Sequence, residues 1–203
     1  ILDSLHWDVL RLFQEIKGSL GRCVQEHGSD LAGIGLDTWG VDFALLDRDD
    51  VLIGNPYYYR DRRTEGMYDE VFSRVPREQI FEWTGLQFME INTLYQLFSM
   101  ALNHSPALAA ADTLLMMPDL FNFWLTGCKV CEFTDATTTQ FYDPRRGTWS
   151  RELFEALDLP FHILKEIVPP GTVLGPLLPS VAEEVGLGEV PVIAPACHDT
   201  GSA

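Results

Sequence analysis

Apolar residues recur at helical spacing from the first residues of the chain: Leu2, Leu5, Val9, Leu12, Phe13, Ile16, Leu20 and Val24 fall on one stripe. Asp3 or Ser4 is the expected starting cap and Gly28 lies just past the end, so the pattern predicts an amphipathic helix whose stripe packs on a core. The pattern then changes. Residues Leu31 to Thr38, Val41 to Leu46 and Val51 to Tyr59 are apolar or alternating, divided by Trp39-Gly40 and by the polar turn Asp47-Arg-Asp-Asp50, and predict consecutive strands of one sheet. Helical spacing returns over Thr64 to Val75, Thr93 to Leu102 and Pro118 to Leu125, the last with Pro118 in its first turn and Gly127 beyond its end. Pro169-Pro-Gly171 and the prolines from 176 to 179 mark an extended segment before a last apolar run starting at Val190. The sum is an α/β domain with a mixed sheet flanked by helices.

That last run delivers Cys197-His-Asp-Thr200 into a turn followed by small residues. Strand ends in open α/β sheets hold ligands and catalytic groups, so Asp199 is a candidate general base. Capping the next helix is the competing role for Asp199 or Thr200, since both residue types do so often.

Composition narrows the functional classes. The 203 residues are 46% hydrophobic and 11% aromatic, enough for a sizeable core in one large domain. Thirty acidic against 14 basic residues give a net charge of −16, which argues against a nucleic-acid partner and against an anionic membrane surface. A small neutral substrate tolerates that field, whereas a nucleotide requires a local cationic or metal-bearing patch. No run reaches the length of a membrane span, and the first residues do not read as the charged, apolar, small-residue sequence of a signal peptide. Four cysteines, at 23, 128, 131 and 197, are too few for a disulfide scaffold and fit the cytoplasm. Cys128 and Cys131 have the spacing of half a zinc site or of a redox pair, but no second pair and no clustered histidines complete four ligands, which favours a structural role. The chain begins with Ile1 and stops just after a strand and turn, and it reads as a piece of a longer protein.

Six segments occur in a distinctive order: Gly35-Leu-Asp-Thr-Trp-Gly-Val-Asp-Phe43, Tyr59-Arg-Asp-Arg-Arg-Thr64, Phe88-Met-Glu-Ile-Asn-Thr-Leu-Tyr-Gln-Leu97, Met117-Pro-Asp-Leu-Phe-Asn-Phe-Trp-Leu-Thr-Gly127, Glu132-Phe-Thr-Asp-Ala-Thr-Thr-Thr-Gln140 and His198-Asp-Thr200. Together they resemble the FGGY carbohydrate kinases, and within them the rhamnulokinase group, over essentially the whole chain.

The resemblance implies a ribonuclease H-like, actin-like lobe that binds the sugar while a second lobe closes over ATP. It implies that Asp199 is the proton acceptor, and that Gly40, His198, Asp199 and Thr200 contact the substrate, with Trp39 and Val41 as pocket walls. A tight turn would equally explain Gly40. The implied reaction is ATP- and Mg2+-dependent phosphorylation of a sugar hydroxyl, with L-rhamnulose as the substrate and L-rhamnulose 1-phosphate as the product. Kinases of fuculose, xylulose or glycerol, a non-catalytic sugar-binding module and an actin-like assembly protein are the alternatives. The family's first hairpin, with its phosphate loop, is expected before Ile1, and the nucleotide lobe after Ala203. The Arg60, Arg62 and Arg63 cluster near Asp61 suggests phosphate binding; solvated or ion-paired arginines are the simpler reading.

Overall fold

The computed structural model describes residues 3–203. In chain order the helices are α1 (Val9–His27), α2 (Met67–Arg74), α3 (Arg77–Thr84), α4 (Thr93–Leu102), α5 (Pro106–Ala109), α6 (Met117–Thr126), α7 (Phe133–Ala136), α8 (Arg151–Leu157), α9 (Pro179–Val185) and α10 (Asp199–Ser202). The strands are β1 (Ile34–Gly35), β2 (Phe43–Leu46), β3 (Thr113–Met116), β4 (Cys131–Glu132), β5 (Tyr142–Asp143), β6 (Thr148–Trp149), β7 (Ile167–Val168), β8 (Thr172–Pro176) and β9 (Pro191–Ala194).

Helix α1 starts later than its apolar stripe. Asp8, not Asp3 or Ser4, is the cap, its carboxylate accepting the Arg11 N–H at 3.2 Å. The backbone before it is claimed elsewhere: Trp7 N–H donates to Pro56 C=O, and Leu5 C=O accepts the Tyr58 N–H. These pairings hold residues 5 to 7 extended against residues 56 to 58, and a short-range pattern cannot show such distant partners. Helix α4 spans its expected residues, and α6 exceeds its expected span by one residue at each end. Gly127 closes α6 at φ 79°, a left-handed conformation that a glycine adopts without a Cβ penalty. The helix expected over residues 64 to 75 is broken by Gly66 at φ 77°, leaving a turn of 3-10 helix (Arg62–Thr64) ahead of α2.

The strands expected from the first half do not form one consecutive sheet. β1 pairs in parallel with β9, Ile34 opposite Val192, and β8 joins β9 antiparallel to complete a three-stranded mixed sheet. β2 instead pairs antiparallel with β3, Phe43 opposite Met116 and Leu46 opposite Thr113. Residues 51 to 59 contribute only single bridges, Leu46 to Leu52 and His6 to Tyr57. The segment expected to be extended holds strand β8, and it also holds an unexpected helix, α9.

Burial explains the arrangement. All four residues of β2 and of β3 are buried, so this pair is covered on both faces. A large cluster including Phe43, Leu45, Leu94, Phe98, Phe141 and Phe154 packs on one side, and another including Val9, Leu46, Leu115 and Phe121 on the other. A third, with Ile34, Val185, Val190 and Val192 at its centre, takes in Phe13, Leu20 and Val24 from α1 and seals the mixed sheet.

Candidate sugar cleft

Strands β1 and β9 run side by side, so the loops leaving their ends meet. Thr38 N–H donates to Cys197 C=O (2.9 Å) and Asp199 N–H donates to Thr38 C=O (2.7 Å), continuing the parallel pairing past the strands. Gly40 and His198 are thereby brought together from opposite ends of the chain. They line an open cleft of about 500 Å³ with Trp39, Val41, Asp199 and Thr200, joined by Tyr59, Leu86, Met89, Ile91, Asn92, Thr137 and Thr138.

Gly40 is required by space and not by an unusual backbone. A Cβ at this position would lie 2.7 Å from Thr138 Cγ2 and 3.1 Å from His198 Cδ2. The neighbouring residue carries the strain: Val41 has φ 67°, rare for a β-branched side chain and costing about 1–3 kcal/mol. Asp42 N–H closes a three-residue turn onto Gly40 C=O at 2.9 Å. The turn is held from several directions. Thr138 Oγ1 accepts the Val41 N–H (3.0 Å), while Thr93 Oγ1 and Gln96 Nε2 donate to Val41 C=O at 2.7 and 3.2 Å.

Asp42 anchors the turn from behind. Its Oδ2 accepts from Trp7 Nε1 (2.6 Å), Trp39 Nε1 (3.0 Å) and Tyr59 N–H (3.2 Å), and its Oδ1 from Gln96 Nε2 (3.0 Å). Burial raises its pKa, and these hydrogen bonds act in the opposite direction. Gln96 Oε1 in turn accepts from Arg63 at 2.5 Å. Asp42, Thr93, Gln96 and Thr138 thus position the cleft without having stood out as site residues in the sequence. The available signal was polar side chains within an otherwise apolar helix: Thr93, Gln96 and Ser99 of α4 are all buried.

Asp199 opens α10, for which His198 supplies the N-cap backbone with no side-chain capping bond. The Asp199 side chain is 55% exposed. Its Oδ1 accepts the Thr200 N–H at 2.7 Å and lies 3.4 Å from His198 Nε2. No hydrogen bond from the described residues reaches the other oxygen, Oδ2, and the residue lines the cleft. Such a group can take a proton from a bound hydroxyl.

The residues from 3 to 203 match the model of the FGGY family of carbohydrate kinases, N-terminal domain. The chain belongs to that FGGY family. It is 42% identical to the rhamnulokinase of Oceanobacillus iheyensis, over 97% of this chain and 42% of that protein. It is also 42% identical to the rhamnulokinase of Bacteroides thetaiotaomicron, over 98% of this chain and 41% of that protein. The chain therefore spans about two fifths of the length of these curated relatives. Its fold is that of FGGY sugar kinases, ribonuclease H-like and actin-like. The solved xylulose kinase of Lactobacillus acidophilus superposes with a TM-score of 0.88 at 20% identity, covering 96% of this chain and 40% of that one. Glycerol kinase of Plasmodium falciparum with ADP gives 0.81 at 14% identity, covering 95% and 40%.

The other sequence candidates separate in this FGGY domain. Arg62 is exposed, 4.0 Å from Glu65, and Arg60 stacks on the Tyr59 ring at 5.3 Å. Arg63 is neither solvated nor paired with the Asp61 carboxylate. Its guanidinium is buried 4.0 Å above the Tyr57 ring, and burial lowers its pKa to about 10, leaving it a cation at neutral pH. Asp61 accepts the backbone N–H groups of Leu5 (2.7 Å) and Arg63 (2.9 Å). Cys131 is buried in β4 and Cys128 half-buried, both as free thiols. No described helix is long and apolar enough to cross a membrane.

Proposed function

We propose that this chain is the sugar-binding part of an ATP-dependent kinase that phosphorylates L-rhamnulose to L-rhamnulose 1-phosphate in the cytoplasm. The observation that carries the reading is the convergence of Gly40 with His198, Asp199 and Thr200 on one cleft. The names of the relatives from Oceanobacillus and Bacteroides support the choice of sugar. In this reading residues 1 to 203 form most of the N-terminal domain, and the first phosphate-loop hairpin and the nucleotide lobe belong to the rest of the protein.

Asp199 would accept the proton of the reacting hydroxyl through Oδ2 while Oδ1 remains on the Thr200 amide. His198 and Thr200 would orient the sugar. The bare backbone of Gly40 lets Thr138 and His198 close against the turn and so shapes the wall, and Trp39, Met89 and Ile91 give the sugar apolar surface. Alignment of the hydroxyl and removal of its proton are what phosphoryl transfer needs from this side of the site.

ATP and Mg2+, which family membership implies, do not fit onto these residues alone. Among the described residues no three carboxylate, imidazole or thiol groups gather to hold a metal ion, and of the cleft-lining residues only Asp199 carries a carboxylate. Holding nucleotide and metal is therefore assigned to the rest of the protein.

Steady-state kinetics of the full-length protein with ATP and a panel of L-rhamnulose, L-fuculose, D-xylulose and glycerol test this. The kcat/KM for L-rhamnulose is expected to lead the others by at least about tenfold, a margin that one or two contacts can supply. A lead by any other member replaces the substrate, and no turnover of any sugar removes the kinase reading.

A further inference from the structure

Three consecutive backbone amides carry the chain into the His198-Asp199 turn, and each has its own acceptor. Cys197 N–H donates to Glu132 Oε2 at 2.9 Å, His198 N–H to Thr134 Oγ1 at 3.1 Å, and Asp199 N–H to Thr38 C=O at 2.7 Å. The first two acceptors are side chains from the start of α7, more than 60 residues earlier in the chain.

They are also bound to each other. Glu132 Oε2 accepts the Thr134 N–H at 3.0 Å and a short hydrogen bond from the Thr134 hydroxyl. With its proton directed at Glu132, that hydroxyl must accept from His198, so the pair has a single hydrogen-bond sense. Glu132 is fully buried, and no cation among the described residues pairs with it; Oε1 has no hydrogen-bond partner, so the donors from Thr134 and Cys197 on Oε2 are what compensates its burial. Asp119 Oδ1 fixes it further by accepting the Glu132 N–H at 3.1 Å. Capping α7, a helix of only four residues, would need no more than the local bond to Thr134. A buried acid is an expensive choice for that purpose. The bonds to residues 197 and 198 are what the expense secures.

We propose that Glu132 and Thr134 are positioning residues for Asp199: a carboxylate-hydroxyl clamp that fixes the two amides ahead of it and so sets where its carboxylate stands in the cleft. This rests on the reading of Asp199 as proton acceptor. A displacement of about 1 Å in a catalytic group costs on the order of a hundredfold in rate, so loss of the clamp is read in kcat before it is read in sugar binding.

The test uses the full-length protein with Thr134→Val, which keeps the shape and removes the hydroxyl, and Thr134→Ser, which keeps the hydroxyl. Two readouts are taken: kcat and sugar KM on L-rhamnulose, and hydrogen exchange at the amides of residues 197 to 199. Thr134→Val is expected to lose about tenfold to a hundredfold in kcat with KM within about threefold of wild type, and to exchange faster at His198. Thr134→Ser is expected to restore both. Near-wild-type kcat in folded Thr134→Val, a loss confined to KM, or Ser performing no better than Val would each overturn the proposal. Where Thr134→Val melts below the assay temperature, Glu132→Gln is judged on the same two readouts. If the wild-type protein phosphorylates no sugar, the kinase reading fails while exchange still decides the clamp: unchanged rates at 197 to 199 refute it, faster rates sustain it.

Discussion

At the scale of single residues, Asp199 and Gly40 lead to different experiments. One oxygen of Asp199 is committed to the Thr200 amide, and no hydrogen bond from the described residues reaches the other. Asparagine can keep the first bond through its carbonyl oxygen but cannot accept a proton at neutral pH. Asp199→Asn in the full-length protein is therefore expected to lower kcat by about a hundred- to ten-thousandfold, with sugar KM nearly unchanged and an unaltered melting temperature. Normal turnover in the folded variant would return Asp199 to a helix-end role. Gly40→Ala acts through volume, since its methyl would occupy space held by Thr138 Cγ2 and His198. Overpacking of this kind costs about 1–3 kcal/mol, to be seen as a lower melting temperature and a higher sugar KM. Thr138→Ser removes the colliding methyl and keeps the hydroxyl on Val41, so the double variant should recover part of the loss in a double-mutant cycle. Strict additivity would show that the methyl of residue 40 does not press on Thr138.

At the scale of elements, the first turn of α6 places Asp119 wholly inside the protein beside Glu132 of β4. Burial raises its pKa to about 8, with repulsion from Glu132 adding to the rise and the hydrogen bonds from Glu132 N–H and Cys131 opposing it. Asp135 of α7 is also raised, again chiefly by burial and then by the Asp119 charge. The sign follows: the folded state keeps a proton that the unfolded chain releases near pH 4, so the contribution to stability is full below that point. It is lost as the pH rises toward about 8, at about 1.4 kcal/mol per unit for each such proton. Urea melts from pH 5 to 8 should show falling stability. Asp119→Asn, which retains an acceptor for the Glu132 amide, should make the fall shallower; an unchanged slope would exclude Asp119 as a source. Local pattern made α4 and α6 legible, because apolar spacing, Pro118 and Gly127 act within a few residues. It missed the start of α1 and the partners of β1 and β2, which distant backbone groups determine. Likewise Gly40, His198 and Asp199 could be named from the sequence through resemblance. The roles of Asp42, Gln96, Thr138 and Glu132 could not, because a polar residue shows its partner only once the chain has folded.

At the scale of the whole molecule, the chain covers about two fifths of its relatives, and the proposed function has its residues supply one wall of a kinase site. Purified residues 1 to 203 with ATP, Mg2+ and L-rhamnulose are expected to release no ADP above background, whereas the full-length protein should do so. Comparable rates from the two would overturn the assignment of nucleotide binding to the remainder. The parallel pairing of β1 with β9 has a further consequence, for synthesis on the ribosome. Ile34 must wait for Val192, roughly 160 residues later, which at about 5–20 residues per second is a delay of roughly 8–30 s. During that interval the apolar face of α1, with Phe13, Leu20 and Val24, and the edge of β1 lack the strand that will cover them. The nascent chain is in this window a natural client for chaperones, and the cleft between Gly40 and His198 cannot form before that window closes.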